Sequence, residues 1–191
     1  MRIMTGARRA LVLGERGVSL IETMVALGIL LVVAAGTMPL AIMSLNSTEN
    51  QGHLTARSAE YAQDKLEQLM ALSFGDTITD TRVFPAVPAG GSGLTVGGSS
   101  DPAAPVDPYV DYLSADGALL ASAGGPPTDW FYQRVWRVEE VGTADANCPT
   151  AVSAARICLK RITVTATVRR AVSGGPVIPT VTLASFKTYP F

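Results

Sequence analysis

Two cysteines, Cys148 and Cys158, are the only thiols in the chain. In an oxidising compartment they are expected to close a disulfide, which loop entropy values at about 3 kcal/mol. A metal centre built on them would need nitrogen ligands, and the one histidine is His53. It falls on a predicted helix and reads as a solvated residue. Asp101, Asp107, Asp111 and Asp116 share one Pro- and Gly-rich stretch. Their spacing fits no calcium loop, so they read as turn-forming aspartates. Asn46-Ser47-Thr48 has the form of a glycosylation sequon and carries no weight here. No nucleophile stands with a base, no loop is built for phosphate and no acids are paired for catalysis. Hence no enzyme, metal or cofactor is expected. One residue remains. Glu22 is the only charged side chain between Val18 and Leu45. A carboxylate in hydrocarbon costs at least about 2.5 kcal/mol, so it needs a cationic partner.

The elements around Glu22 come from composition. Apolar residues form 48% of the 191-residue chain and charged residues 16%, and much of the apolar excess lies in that one run. A run of about 20 apolar residues spans a bilayer as a helix. Before it stand Arg2, Arg8, Arg9 and Arg16 against Glu15, a balance of +3; the whole chain carries -1, so the remainder carries -4. A basic flank stays in the cytoplasm, and the chain beyond the span is exported. The expected location is a bacterial inner membrane, single pass, with the head in the periplasm. Nothing in the charge balance points to nucleic acid.

Three parts result. Residues 1–17 form a leader, residues 18–73 one long helix and residues 74–191 a head. An ordinary secretory signal places its apolar core before the cut, whereas here the core comes after Gly17. The helix is predicted from Ser19 to Leu72, with Gly28, Gly36 and Pro39 interrupting its apolar half and a kink expected at Pro39. Beyond Leu45 the pattern changes. Ala59, Ala62, Leu66 and Leu69 make an apolar stripe, and Glu60, Asp64, Lys65, Glu67 and Gln68 fill the other faces. Gly75 is the expected stop. Residues 84–108 read as loop, with one short strand near Arg82 to Val87. Strands are then predicted at Pro108–Leu113, Trp130–Val141, Arg156–Arg169 and Pro176–Tyr189. In the third, Ile162, Val164, Ala166 and Val168 alternate with Thr163, Thr165 and Thr167. Such alternation gives a dry face and a wet face. The expected fold class is α+β, a helix packed on an antiparallel sheet of about four strands.

The segment Arg16-Gly17-Val18-Ser19-Leu20-Ile21-Glu22, continuing Thr23-Met24-Val25-Ala26-Leu27, resembles the type IV prepilin processing site. That resemblance implies the type IV pilin fold. It also implies that a prepilin peptidase cuts after Gly17 and methylates the new amine of Val18. Family members usually carry Phe where Val18 stands and Thr where Ser19 stands. In the family, the matching glutamate pairs with the N-terminal amine of a neighbouring subunit, the role implied for Glu22. Pro39 falls where many members have a helix-kinking proline.

Farther on, Glu60-Tyr61-Ala62-Gln63-Asp64-Lys65-Leu66-Glu67-Gln68-Leu69 is similar to the helix exit of PilV-like minor pilins and GspI-like minor pseudopilins. Read from the residues alone, Lys65-Leu66-Glu67 is a solvated helix face with an ordinary core leucine. Tyr132 to Val138 and Lys160 to Val168 resemble the strand pair of PilV-like proteins. Trp136 reads as a core aromatic and Thr163, Thr165 and Thr167 as a wet face. The function implied is a minor pilin that helps initiate or modify a type IV pilus. The alternative is a minor pseudopilin of a type II secretion system. Partners implied are the prepilin peptidase, the inner membrane before assembly, and other pilins or pseudopilins through the helix.

Overall fold

The computed structural model describes residues 19–121, 125–151, 153–169 and 179–189. Gly17 and Val18 lie outside the described residues. The chain divides into two compact units between Ser47 and Thr48, a point inside the single helix, α1 (Leu20–Ala71).

In the first unit α1 begins where Ser19 offers its carbonyl to the amides of Glu22 (2.9 Å) and Thr23 (3.1 Å). Leucine, alanine and methionine hold helical geometry at little cost in side-chain entropy. Thr23 and Thr37 return their hydroxyls to the carbonyls of Leu20 (2.8 Å) and Val33 (3.0 Å), so neither exposes an unused donor. The helix runs through Pro39 without a break, although proline supplies no amide to the carbonyl one turn back.

The second unit holds the rest of α1 and an antiparallel sheet. Its strands are β1 (Gly97–Gly98), β2 (Val110–Leu113), β3 (Leu119–Leu120), β4 (Tyr132–Glu140), β5 (Leu159–Val168) and β6 (Thr180–Thr188). The order is β3-β2-β4-β5-β6, and β1 also pairs with β4. The four expected strands correspond to β2, β4, β5 and β6. The two-residue strands β1 and β3 were not expected. Gly98 has φ 82°, and a Cβ there would stand 2.2 Å from the Trp136 carbonyl. Only glycine permits this approach to β4.

The strand expected near Arg82 to Val87 does not form. A single bridge joins Asp80 to Val87. Arg82 explains the difference: it bonds both carboxylate oxygens of Asp80 and reaches the Gly90 carbonyl, all at 2.9 Å, folding the segment back on itself.

α1 covers one sheet face. The line of its buried positions is Ser58, Ala62, Lys65 and Leu69, a 4-3-4 spacing. The predicted stripe therefore needs rotating: Ala59 and Leu66 are half-buried flanks, and Lys65, expected in solvent, is on the buried line. Against it pack Leu94, Tyr109, Trp136, Val138, Ile162, Val164 and Ala166. The opposite face is not simply wet. Val110, Tyr112 and Val135 form a second small core there with Leu120 and Trp130. Thr165, expected on the wet row, is buried and meets Thr182 hydroxyl to hydroxyl at 3.0 Å.

The last turn of α1 carries no basic residue. Strand lysines serve its end and the loops beyond it. Lys187 donates to the Met70 carbonyl, and Lys160 to the carbonyls of Phe74 (2.9 Å) and Leu94 (2.8 Å). Cations at a helix C-terminus complement its dipole. Cys148 and Cys158 form the expected disulfide, with Cα atoms 5.6 Å apart.

Both tryptophans, Trp130 and Trp136, lie in this unit, so their fluorescence reports on its folding alone. Replacing both cysteines by serine in the full chain, held in detergent, is expected to lower the unfolding free energy by about 3 kcal/mol. Denaturant titration followed by tryptophan emission measures it; an unchanged midpoint contradicts the assignment of stability to this loop.

Candidate functional site

Leu20 to Leu45 presents apolar side chains on every side. Its large apolar residues are between 54% and 79% exposed. Gly28 and Gly36 have nothing within 4 Å of where a Cβ would stand. This helix is long and apolar enough to cross a membrane. In water such a surface is strongly unfavourable, so lipid or other apolar helices must cover it. Glu22 lies in its first turn, exposed. Among the described residues no ion pair includes it. A partner cation would meet that carboxylate on an otherwise uncharged surface.

A second constellation is buried between α1 and the sheet. In register, Asp111 on β2 stands opposite Arg134 on β4. The Arg134 guanidinium grips both carboxylate oxygens, Nε to Oδ1 at 2.7 Å and Nη2 to Oδ2 at 3.0 Å. From α1, Lys65 Nζ reaches Asp111 Oδ2 at 2.8 Å. The same ammonium donates to the Thr81 carbonyl (2.7 Å) and hydroxyl (2.9 Å) and lies 4.0 Å from the centre of the Trp136 ring. The remaining Arg134 nitrogen bonds Asp64 Oδ2 at 2.9 Å and the Tyr61 carbonyl at 3.3 Å, both on α1. The side chains of Lys65, Asp111 and Arg134 are 0%, 1% and 2% exposed, so no substrate reaches them. The Lys65 ammonium and both Asp111 oxygens are all engaged, and the Lys65–Asp111 pair joins the helix to the sheet.

Burial lowers the Lys65 ammonium to a pKa of about 8; Asp111 opposes that shift and Arg134 reinforces it. Burial alone would raise the Asp111 carboxyl, but Arg134 and Lys65 beside it outweigh burial and hold it below the ordinary carboxylate range.

The other residues singled out by the sequence lie apart from this cluster. Pro39 lies within α1 on the apolar segment. His53 is exposed on α1. Asp101 accepts from the Ala103 amide (2.9 Å), Asp107 pairs with Arg82 (2.9 Å) and Asp116 with Ser114. These aspartates do not converge. Asp111 is no turn residue but the buried acid of the cluster. Among the described residues no group of three or more His, Cys, Asp or Glu is arranged to hold a metal. The cluster had a sequence signal. Arg134 is in phase with Tyr132, Trp136 and Val138, and Lys65 lies three residues from Ala62 and four from Leu69. Both charges occupy dry positions of their elements.

No family model, no curated protein and no solved structure matches the chain.

Two outcomes are expected. Asp111→Ala leaves two buried cations without their anion and costs about 3–5 kcal/mol. Lys65→Met leaves the Arg134–Asp111 pair intact and costs less, about 1–2 kcal/mol. Tryptophan-monitored unfolding of the full chain in detergent orders them; equal costs would contradict the bridging role. The pH dependence has a definite sign. Unfolded lysine binds its proton up to about 10.5 and folded Lys65 only up to about 8. Between these values the unfolded state holds more protons, so stability rises with pH. Relative to Lys65→Met, the natural protein should gain stability from pH 8 to pH 10.5, and a flat difference contradicts it.

Proposed function

We propose that this chain is a PilV-like minor pilin of a type IV pilus, with the type IV pilin fold. It is made as a prepilin in the inner membrane, cut after Gly17 by the prepilin peptidase and methylated at Val18. The observation that carries the reading is a helical segment, Leu20 to Leu45, whose apolar surface is bare on every side and whose single charge, Glu22, stands near the proposed new N-terminus. A helix used only as an anchor gains nothing from that acid and is penalised by it. An assembling helix gains register: the carboxylate is tolerated only where a neighbour's freed ammonium meets it, so subunits stop at one axial offset. Gly28, Ala34, Ala35 and Gly36 lack bulk and allow neighbouring helices close approach. Cleavage is essential because the ammonium does not exist before it, and because the leader's arginines cannot enter an apolar bundle.

The α+β layout of the second unit supports the same reading, since a helix roofing a small antiparallel sheet is what the resemblance implies. The string Glu60 to Leu69 is similar to that of GspI-like minor pseudopilins as well. A place in a type II secretion pseudopilus, at the inner membrane and in the periplasm, is therefore the second reading. Partner subunits separate the two, not the helix chemistry.

Co-expression with a prepilin peptidase tests the proposal. Mass spectrometry is expected to find a methylated Val18 at the mature N-terminus, and Gly17→Leu should abolish the cut. Material that retains Arg16-Gly17 overturns the reading. Glu22→Gln should be cleaved and fold normally yet lose incorporation into filaments by at least about tenfold.

A further inference from the structure

β6 closes one side of the sheet. Its nine residues, Thr180–Thr188, pair with β5 in unbroken register from Thr188 opposite Leu159 to Thr180 opposite Thr167. Among the described residues nothing pairs with its other side. The opposite side of the sheet ends in the two-residue β3, too short to extend. A long, flat outer strand carries a row of amides and carbonyls that invite another strand, and proteins usually blunt it with proline, a bulge or outward charge. Along β6 the pairing is unbroken, with no bulge. The strand holds no proline, and its single charge, Lys187, turns its ammonium back to the Met70 carbonyl.

An extended strand can pair with such an edge along its whole length, and the side chains decide which one. Thr180, Thr182, Ala184, Phe186 and Thr188 form the exposed row, with Phe186 55% exposed. Set antiparallel to its own copy about Ala184, this row matches itself. Thr180 faces Thr188, Thr182 faces Phe186, and Ala184 faces Ala184. Threonine pairs and pairs of an aromatic with a β-branched residue are among the favourable cross-strand combinations. On the other face Val181 meets Lys187 and Leu183 meets Ser185, so no like charges oppose each other. Threonine pairing is already in use one strand inward, where Thr165 meets Thr182 at 3.0 Å and Thr167 meets Thr180 at 3.2 Å.

We infer that β6 is a self-association surface, on which the second unit pairs with a second copy of this chain through an antiparallel, two-fold β6–β6 contact that continues the sheet. A two-fold contact uses the same patch on both partners, as this self-matching row requires. The surface lies on the sheet, so the inference does not depend on cleavage at Gly17 or on Glu22.

The register gives a test specific to it, in the full chain purified in detergent. Ala184→Cys places two thiols at the axis and is expected to yield a covalent dimer under mild oxidation, whereas Thr95→Cys, at an exposed position off the strand, should not. Thr182→Lys with Phe186→Lys sets lysine against lysine and should weaken dimerisation in sedimentation runs by about tenfold. Thr182→Lys with Phe186→Glu sets lysine against glutamate and should dimerise at least as well as the natural chain. A monomer at all concentrations overturns the inference. So does a dimer that is equally strong in both charge variants while the Ala184→Cys protein stays unlinked, since that dimer would be held elsewhere. Should the double-lysine variant misfold, cross-linking of the Ala184→Cys protein still decides.

Discussion

The carboxylate of Asp111 sits where water does not reach, and two cations from different elements face it. One comes from the adjacent strand and one from the helix. Without Asp111, Lys65 and Arg134 would be two like charges in a dry space; without them, Asp111 would be a lone buried anion. Arrangements of this kind add little net stability over an apolar core. What they fix is position. Apolar packing of Ala62 and Leu69 on Trp136 and Val164 tolerates sliding by fractions of a turn. An ammonium held by Asp111, two oxygens of Thr81 and the Trp136 ring does not. The Arg134 bridge to Asp64 adds a second fixed point one residue away on α1. Lys187 then secures the end of that helix from the sheet side, and Lys160 holds the loops beyond it.

The same rule connects this cluster to the proposed work of the apolar helix. A carboxylate removed from water requires a cation; among the described residues Asp111 meets that demand, and in the proposed filament Glu22 would raise it again. In the second unit the partners are built in and the result is a rigid joint. On the apolar helix, Glu22 stands alone among the described residues on a surface made for hydrocarbon or for other helices. An internal partner would make the glutamate structural. A partner supplied from outside makes it a recognition element, and this is the physical content of the filament proposal.

Much of this was legible in the sequence, and the misses share a cause. The apolar run and the alternation of Ile162, Val164, Ala166 and Val168 with threonine marked α1 and β5 because single-residue polarity matched burial. Lys65 was misplaced because charge outweighed phase: it lies on the stripe by spacing and off it by residue type. Asp111 was read as a turn residue from the Pro- and Gly-rich stretch it shares with Asp101, Asp107 and Asp116, although Val110 and Tyr112 flank it within a strand. The segment Arg82 to Val87 has strand-forming residues, but strand propensity is weak beside a bidentate arginine pair that folds the chain back. β1 and β3 are too short to leave any periodic trace. The disulfide came from compartment and count. The cleavage site, Gly17 and Val18, lies outside the described residues, so its reading rests on sequence alone.

Residue type also marks the point where α1 changes its task. From Leu20 to Leu45 the helix offers neighbours nothing but hydrocarbon, small gaps and one acid. From Glu49 onward His53, Arg57, Glu60, Asp64 and Glu67 line its solvated side while Ser58, Ala62, Lys65 and Leu69 face the sheet. The first kind of surface is satisfied only by lipid or by other chains, the second by this chain's own strands. The boundary between the two compact units, at Ser47 and Thr48, falls between these compositions. One continuous helix therefore carries two kinds of surface, and among the described residues the large apolar side chains of its first half stay exposed. Such a segment is suited to intermolecular packing, because exposed apolar area gains from being covered by other helices.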